Sequence, residues 1–364
     1  ISVIVPAWNE EVGVIRTIQS IGQNGYAHTE LIVIDDGSTD GTLQAIKDHF
    51  ARAKKHKLYR NFRVYVISQK NQGKGAALNN GVKRATGDII LTVDADSILK
   101  KGALDNLVKY YLDDKVMAVV GNVEVANPKT LVGFAQQLEY YFGFYNKRAH
   151  ALLDAEYIFG GACASFRSSV FDSLGGFDTE NKTEDIEMSM RIRAAGYKST
   201  YAEDVICYTE GASDFKGLIS QRVRWKKGRI DTFRKYKHLF FSTEDEHNFF
   251  LSFFILPFSV LSEAQLIFEP AAIAILVTYS LITSEYLSLA VGVLFILLVY
   301  ISVSLFHDNR RRPELVLLFP FTWPLFYILD WVEFLALFKS IKLIRRGEDV
   351  EWQKWQREGI TKSS

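Results

Sequence analysis

Residues 87–97, GDIILTVDADS, constrain this chain more than any other stretch. Ile89, Ile90, Leu91 and Val93 form a near-continuous apolar run, the pattern of a strand buried on both faces of a parallel sheet. Two carboxylates, Asp94 and Asp96, follow it directly. Ligands of open α/β sheets bind outside the carboxyl ends of the strands. An Asp-x-Asp (DxD) at such a place can hold Mg²⁺ or Mn²⁺, since both favour oxygen donors. A strand that ends in a solvated acidic turn has the same sequence, so the pair alone decides nothing.

The residues upstream put this strand into a repeating pattern. Residues 1–8 (ISVIVPAW) read as a strand, with Asn9, Glu10 and Glu11 suited to open a helix through about Asn24. Residues 30–42 repeat the pattern with a strand that ends in Asp35 and Asp36 and a Gly-rich turn. A third strand covers 62–68, a helix 74–85 and a fourth strand 88–94. Such alternation predicts a doubly wound, mostly parallel α/β sheet with right-handed crossovers. Two nucleotide signatures are missing from it. Residues 71–79 contain Gly-Lys-Gly without the Ser or Thr and the upstream Gly of a P-loop, and no GxGxxG follows the first strand.

The 364 residues carry a formal net charge of +1, which gives no global field for nucleic acid. Cys163 and Cys207 are too few for a disulfide framework, match no zinc spacing and fit a reducing, cytosolic setting. Polar residues are frequent up to about Asn248, and long apolar runs take over after it. The chain opens on Ile1 inside a strand, without an initiator Met or a leader, as a piece of a longer protein would.

IVPAWNEE, IDDGSTDGT and NQGKGAALNNGVKRATGDIILTVDADS, in this order and spacing, resemble the nucleotide-sugar-binding half of the family 2 inverting glycosyltransferases, which have the GT-A fold. The resemblance covers roughly residues 1–235. It implies that Asp36, with Asp35 beside it, contacts a uracil, and that Pro6 and Glu10 belong to the donor site near the nucleoside. It implies further that Lys74 reaches toward the base or diphosphate, that Asp94 contacts the ribose or donor sugar, and that Asp96, with Asp94, holds Mg²⁺ or Mn²⁺. Taken singly, Glu10 and Asp36 read equally well as capping or turn carboxylates, and Lys74 as an exposed helix lysine.

Residues 116–127 read as a further strand and 131–153 as a long helix rich in aromatics, more in the manner of packing contacts than of a sugar channel. Gly160 and Gly161 permit close approach by a substrate or simply make a tight turn; the resemblance makes their segment the floor of the acceptor site. Residues 181–195 read as a helix with Asn181 as N-cap and Glu184 three residues on. Capping does not explain Asp185. Thr183-Glu184-Asp185 matches the family's catalytic-base motif, which makes Asp185, with Glu184 and Asp94 near it, the group that takes the acceptor proton. Direct displacement at an anomeric carbon needs such a base on one face and a stabilised leaving diphosphate on the other.

Gln221, Arg222, Val223, Arg224 and Trp225 lie in a basic helical stretch from about 215 to 237, where Gln221, Arg224 and Trp225 share a face. QxxRW at this distance after the acidic motif resembles the processive, membrane-embedded branch of family 2, which makes cellulose, chitin, hyaluronan and poly-N-acetylglucosamine. There the tryptophan stacks under the terminal acceptor sugar, while glutamine and arginines serve the diphosphate and acceptor. An interfacial helix with Arg222, Arg224, Lys226, Lys227 and Arg229 turned to anionic headgroups would have the same composition.

Residues 249–268 and 271–282 are apolar apart from Glu263, with Glu269-Pro270 between them. They predict an interfacial or re-entrant helix followed by a span, or a tilted pair. Residues 287–306 read as a clear span, and 315–338 as another that Pro320, Pro324, Asp330 and Glu333 disturb. Arg310 to Arg312 before it and Lys339, Lys342, Arg345 and Arg346 after it all favour the cytoplasm, so the element is broken or hairpin-like, or one cluster violates the rule. Asp330 and Glu333 mark a polar lumen or, more simply, sit near an interface. The expected organisation is a cytoplasmic GT-A domain over 1–240, a membrane region with about three hydrophobic segments over 241–346, and a cytoplasmic tail over 347–364.

The resulting expectation is an inverting hexosyltransferase of the bacterial plasma membrane, similar to the poly-N-acetylglucosamine and chitooligosaccharide synthase group. It would move GlcNAc from a UDP-sugar to a growing β-linked polysaccharide or oligosaccharide, in contact with membrane lipids and, as in that group, with room for a small membrane partner subunit. A UDP-glucose-using synthase and a non-processive transferase that acts on a lipid carrier are the alternatives. Intact Asp94, Asp96, Asp185 and Trp225 argue against a non-catalytic scaffold.

Overall fold

The computed structural model describes residues 1–53, 57–126, 130–306, 319–350 and 359–360. The first apolar runs become strands with no solvent on either face. Val3, Ile4 and Val5 of β1 (Ser2–Ala7) and Leu31 to Ile34 of β2 (Thr29–Asp35) are fully buried. β1 pairs parallel with β2 on one side and with β4 (Ile89–Thr92) on the other, and β2 pairs parallel with β3 (Phe62–Ser68). Helices α1 (Val14–Asn24), α2 (Thr42–Ala53) and α3 (Lys74–Arg84) make the crossovers. Pro6 sits in β1 without loss of a ladder bond. Ile4 accepts from Val93 N, so Pro6 faces the same way two residues later, beyond the last β1–β4 pair at Ile4 and Thr92.

The second half of the sheet is mixed. After β5 (Ser97–Leu99), α4 (Ala103–Tyr110), β6 (Val116–Val125) and α5 (Leu131–Leu152) come β7 (Ala164–Arg167), α6 (Ser168–Leu174), α7 (Glu184–Ala194), β8 (Lys198–Thr209) and α8 (Phe215–Lys235). The eight strands run in the order β3-β2-β1-β4-β7-β6-β8-β5. β7 is antiparallel to both β4 and β6, β8 is parallel to β6, and β5 closes the edge antiparallel to β8.

Two helix starts differ from expectation. α1 begins at Val14 because Asn9 adopts a left-handed φ of 52°, and its side chain accepts from Thr39 N at 2.7 Å instead of capping the helix. α7 begins at Glu184, not at Asn181. Asn181 Oδ1 accepts from both the amide (2.9 Å) and the hydroxyl (3.0 Å) of Thr183, and its Nδ2 donates to Thr232 of α8, so it braces the approach to the helix.

Beyond α8, a π-helical turn at Leu251–Ile255 leads into α9 (Leu256–Thr283), followed by α10 (Leu287–Phe306) and α11 (Phe319–Arg346). The expected break at Glu269-Pro270 is not there: α9 carries Pro270 inside one continuous helix. Proline deletes one backbone bond, and apolar helices keep the remainder of the ladder. Among the described residues, one helix is long and apolar enough to cross a membrane, Leu251–Thr283, 33 residues that include an 18-residue stretch with a mean hydropathy of 1.8. α11 is likewise continuous, so it is neither broken nor hairpin-like from 319 to 346. Its buried residues Leu325, Leu329, Val332, Ala336 and Ser340 form one stripe, which packs on Leu138 and Tyr141 of α5 and Leu218 of α8, and Ser340 donates to Val223 O at 3.1 Å. Arg310 to Arg312 and most of the tail lie outside the described residues. Of the tail's far end, Gly359 N donates to Glu210 at 3.3 Å, and Ile360 is buried with its carbonyl on the Arg16 guanidinium.

Candidate active site

The carboxyl ends of β1, β2 and β4 deliver the acidic residues to one edge of the sheet. Behind the Asp94-Ala95-Asp96 turn, Thr17 of α1 donates to Ala95 O at 2.8 Å. A Cβ on Gly13 would lie 3.1 Å from the same oxygen, so α1 fits closely against this turn. Asp96 accepts from Ser97 Oγ at 3.1 Å, and Asp94 and Asp96 are both partly open to solvent.

Lys74, the first residue of α3, reaches the centre of the site. Its Nζ lies 2.6 Å from Asp94 Oδ1 and 3.3 Å from Glu184 Oε1. Burial works against its charge, but Asp94, Glu184 and Asp185 hold its pKa well above the usual lysine range. Burial pushes the Glu184 carboxyl up, against the pull of Lys74. Lys74 is therefore a buried counter-ion among carboxylates, not an exposed helix lysine.

Asp185 stands in the first turn of α7, and its two oxygens are held separately. Oδ2 accepts from Gly161 N at 2.8 Å and Oδ1 from Ile186 N at 2.9 Å. Ser189 donates to Asp185 O and accepts from Phe159 N, which binds residues 159–161 to α7. Gly161 has a defined reason to be glycine: a Cβ would stand 2.8 Å from Lys74 Nζ and 3.2 Å from Asp185 Oδ2. Gly160 has open space around it. Asp94, Lys74, Gly161, Glu184 and Asp185 thus converge within a few side chains of one another.

The remaining candidates sit around this centre. Asp36 is buried and accepts from Gln69 Nε2, Gln72 N and Gly73 N at 2.8–3.0 Å, so it fixes the loop that launches Lys74. Asp35, also buried, accepts from Ser68 Oγ at 3.0 Å. Glu10 is buried beside Thr42, whose hydroxyl accepts from its amide at 2.8 Å. Arg224 is close enough to Glu184 to pull its pKa down. Gln221 is buried, and its Oε1 has no partner among the described residues. Trp225 is half-buried with the Arg222 guanidinium over its ring, and Arg222 is itself buried and paired with Glu139 and Glu333.

The α5 aromatics mostly pack: Phe144 stacks on Tyr201, Phe142 meets Phe326 edge-on, and Tyr141 is buried against α11. The basic face of α8 does not turn to headgroups at Arg222, Lys226 and Arg229, because all three are paired with carboxylates. Sequence reading noted Glu263 and Glu333 only as acids within apolar segments, without their partners, and it missed Glu139, Gln69, Gln72 and Thr17. None carries a local motif, and each matters only through a partner 33 to 83 residues away or more.

An oxygen-rich pair at a strand end suits a hard divalent cation, and Asp94 and Asp96 have the chemistry to hold one. The sequence profile described as "Glycosyltransferase like family 2" matches residues 1–228. The poly-beta-1,6-N-acetyl-D-glucosamine synthase of Staphylococcus aureus (strain COL) is 32% identical over 231 residues, 63% of this chain and 54% of that protein. The chain therefore spans about half the length of this curated relative. The enzyme of the same description from Staphylococcus epidermidis is 26% identical over 376 residues, 99% of this chain and 88% of the relative. Among solved structures, a mannosyltransferase from Pyrobaculum calidifontis in complex with GDP-Man and Mn²⁺ superposes with a TM-score of 0.64 at 24% identity, over 93% of this chain and 86% of that one. That likeness is one of fold.

Proposed function

The chain belongs to the family 2 glycosyltransferases, and we propose that it transfers GlcNAc from UDP-GlcNAc to the growing end of a β-linked polysaccharide at a membrane, with inversion at the anomeric carbon. The observation that carries this reading is the convergence of Asp94, Lys74, Gly161, Glu184 and Asp185 at the carboxyl ends of the parallel strands. GlcNAc as the sugar is supported by the two staphylococcal relatives. Membrane attachment is supported by α9 and α10, whose Phe258, Leu261, Phe268, Ile275 and Leu294 are exposed.

In this reading Asp185, oriented by Gly161 N and Ile186 N, accepts the proton of the acceptor hydroxyl as that oxygen attacks. Lys74 keeps the neighbouring carboxylates from repelling one another and from repelling the donor's phosphates. Trp225 offers a ring face to the acceptor sugar. Asp94 and Asp96 would hold Mg²⁺ or Mn²⁺, whose charge would stabilise the departing UDP.

The decisive experiment is radiolabel incorporation by the protein in lipid bilayers from UDP-GlcNAc against UDP-glucose, with Mg²⁺, Mn²⁺ or EDTA, followed by sizing of the product. Metal-dependent polymer from UDP-GlcNAc is expected. A single transfer to a lipid carrier would overturn the polymer reading, and polymer from UDP-glucose alone would overturn the sugar. Asp96→Ala is expected to weaken metal-dependent UDP binding by roughly a hundredfold, as titration calorimetry with and without EDTA would register. Unchanged metal dependence would refute its role. Gly161→Ala is expected to lower turnover by about ten- to a hundredfold with little change in melting temperature, since the tip of Lys74 can move aside while the site cannot keep its geometry.

A further inference from the structure

Arg222, Lys226 and Arg229 recur along one face of α8 and meet three carboxylates from three other helices. Arg222 pairs with Glu139 of α5 at 2.5 Å and with Glu333 of α11 at 3.1 Å. Lys226 pairs with Glu333 and with Glu263 of α9, both at 2.6 Å, and Arg229 pairs with Glu263. The Arg222 and Lys226 side chains are only 4% and 3% exposed. Buried cations at this depth require partners, and here three positive charges stand against three negative ones. Arg222 does one thing more: its guanidinium carbon lies 4.4 Å from the centroid of the Trp225 ring. A planar guanidinium held at two edges by carboxylates is a fixed plate on which an indole can rest, which an ammonium is not.

We propose that Glu139 and Glu333 are positioning residues for Trp225, acting through Arg222, and that Glu263 and Lys226 extend the same clamp so that helices α9 and α11 set the angle of the acceptor platform. Arg222 is then an anchor for the ring, with its Nη2 hydrogen-bonded to Glu139 and its Nε 3.1 Å from the Glu333 carboxylate, and not a ligand of the diphosphate. The proposal rests on the reading of the chain as a glycosyltransferase and deepens it: acceptor affinity is governed by carboxylates that touch neither substrate.

The test is steady-state kinetics of the full chain in lipid bilayers, with UDP-GlcNAc and a short β-linked GlcNAc oligosaccharide varied in turn. Glu333→Gln is expected to raise the KM for the oligosaccharide about tenfold, with the KM for UDP-GlcNAc and the rate of acceptor-independent UDP release near wild type, and Glu333→Asp is expected to recover most of the loss. A purely structural role would depress donor and acceptor parameters together, and that result, or an unmoved acceptor KM, overturns the clamp. Should Glu333→Gln fail to fold, Arg222→Lys decides: it keeps the charge and loses the flat plate, so the same acceptor-selective rise is expected, and its absence overturns the proposal. A wild-type protein that transfers no sugar at all rejects the glycosyltransferase reading itself, whereas an active wild type with indifferent variants rejects only the clamp.

Discussion

Asp185→Asn is expected to slow sugar transfer by roughly a thousandfold, within the range that a positioned general base contributes, while leaving UDP binding close to wild type. The substitution is nearly isosteric, and its amide oxygen can still accept from Gly161 N or from Ile186 N, so one of the two bonds that orient the side chain is kept and the other is lost. What disappears is the capacity to take a proton. In the proposed reading the nucleotide meets other residues, Asp36 with its loop and Asp94 with Lys74, and they are untouched. Turnover from initial rates and UDP affinity from calorimetry, measured on the same preparation, separate the two effects. Turnover near the wild-type value would remove Asp185 from the role of base. Equal loss of nucleotide binding would mean that it holds the site together and does not carry the chemistry.

The largest stability effect is expected at Gly228→Ala. Glycine inside a helix usually costs about 1 kcal/mol relative to alanine, so the exchange ought to help α8. Here it should not, because a Cβ at residue 228 would overlap the Thr183 hydroxyl and methyl group. Thr183 cannot step aside freely, since its amide and hydroxyl both donate to Asn181, which is tied to Thr232 of α8. Overpacking of this kind costs about 1–3 kcal/mol, so a clear drop in apparent melting temperature is expected, and with it a fall in turnover as Glu184 and Asp185 shift with Thr183. Thr183→Ala in the same chain should restore part of the melting temperature, since it removes the hydroxyl and methyl group but leaves a Cβ 2.8 Å from the new one. A single variant as stable and active as wild type would show that α7 and α8 do not approach this closely.

The parallel half of the sheet was legible because its signal is local. Val3 to Val5, Leu31 to Ile34 and Ile89 to Leu91 are unbroken apolar runs, each followed by acids and a turn. β7 was hidden because four residues, ASFR, are too few to show a period, and β5 has only three. β8 was hidden for another reason: Glu203 and Asp204 interrupt it, near the register shift between Gly121 and Asn122 of its partner β6. At the site, the residue types announced themselves and their contacts did not. Lys74 and Asp185 could each be singled out along the chain, but nothing in their spacing says that both come to rest against one glycine. The α8 clamp lay furthest from view, since Glu139, Glu263 and Glu333 look like scattered acids until three helices bring them to one face.

The contact between Arg16 and Ile360 joins residues 344 positions apart. Synthesis runs from one end, and domains tend to fold as they emerge. The strands and crossovers of the first hundred residues can assemble while the apolar helices are still unmade, but the Arg16 guanidinium meets this partner only once residue 360 has been made. Closure of Arg16 on Ile360 thus comes after the apolar helices have been made, and it ties the first crossover helix to a segment that lies beyond them in the chain.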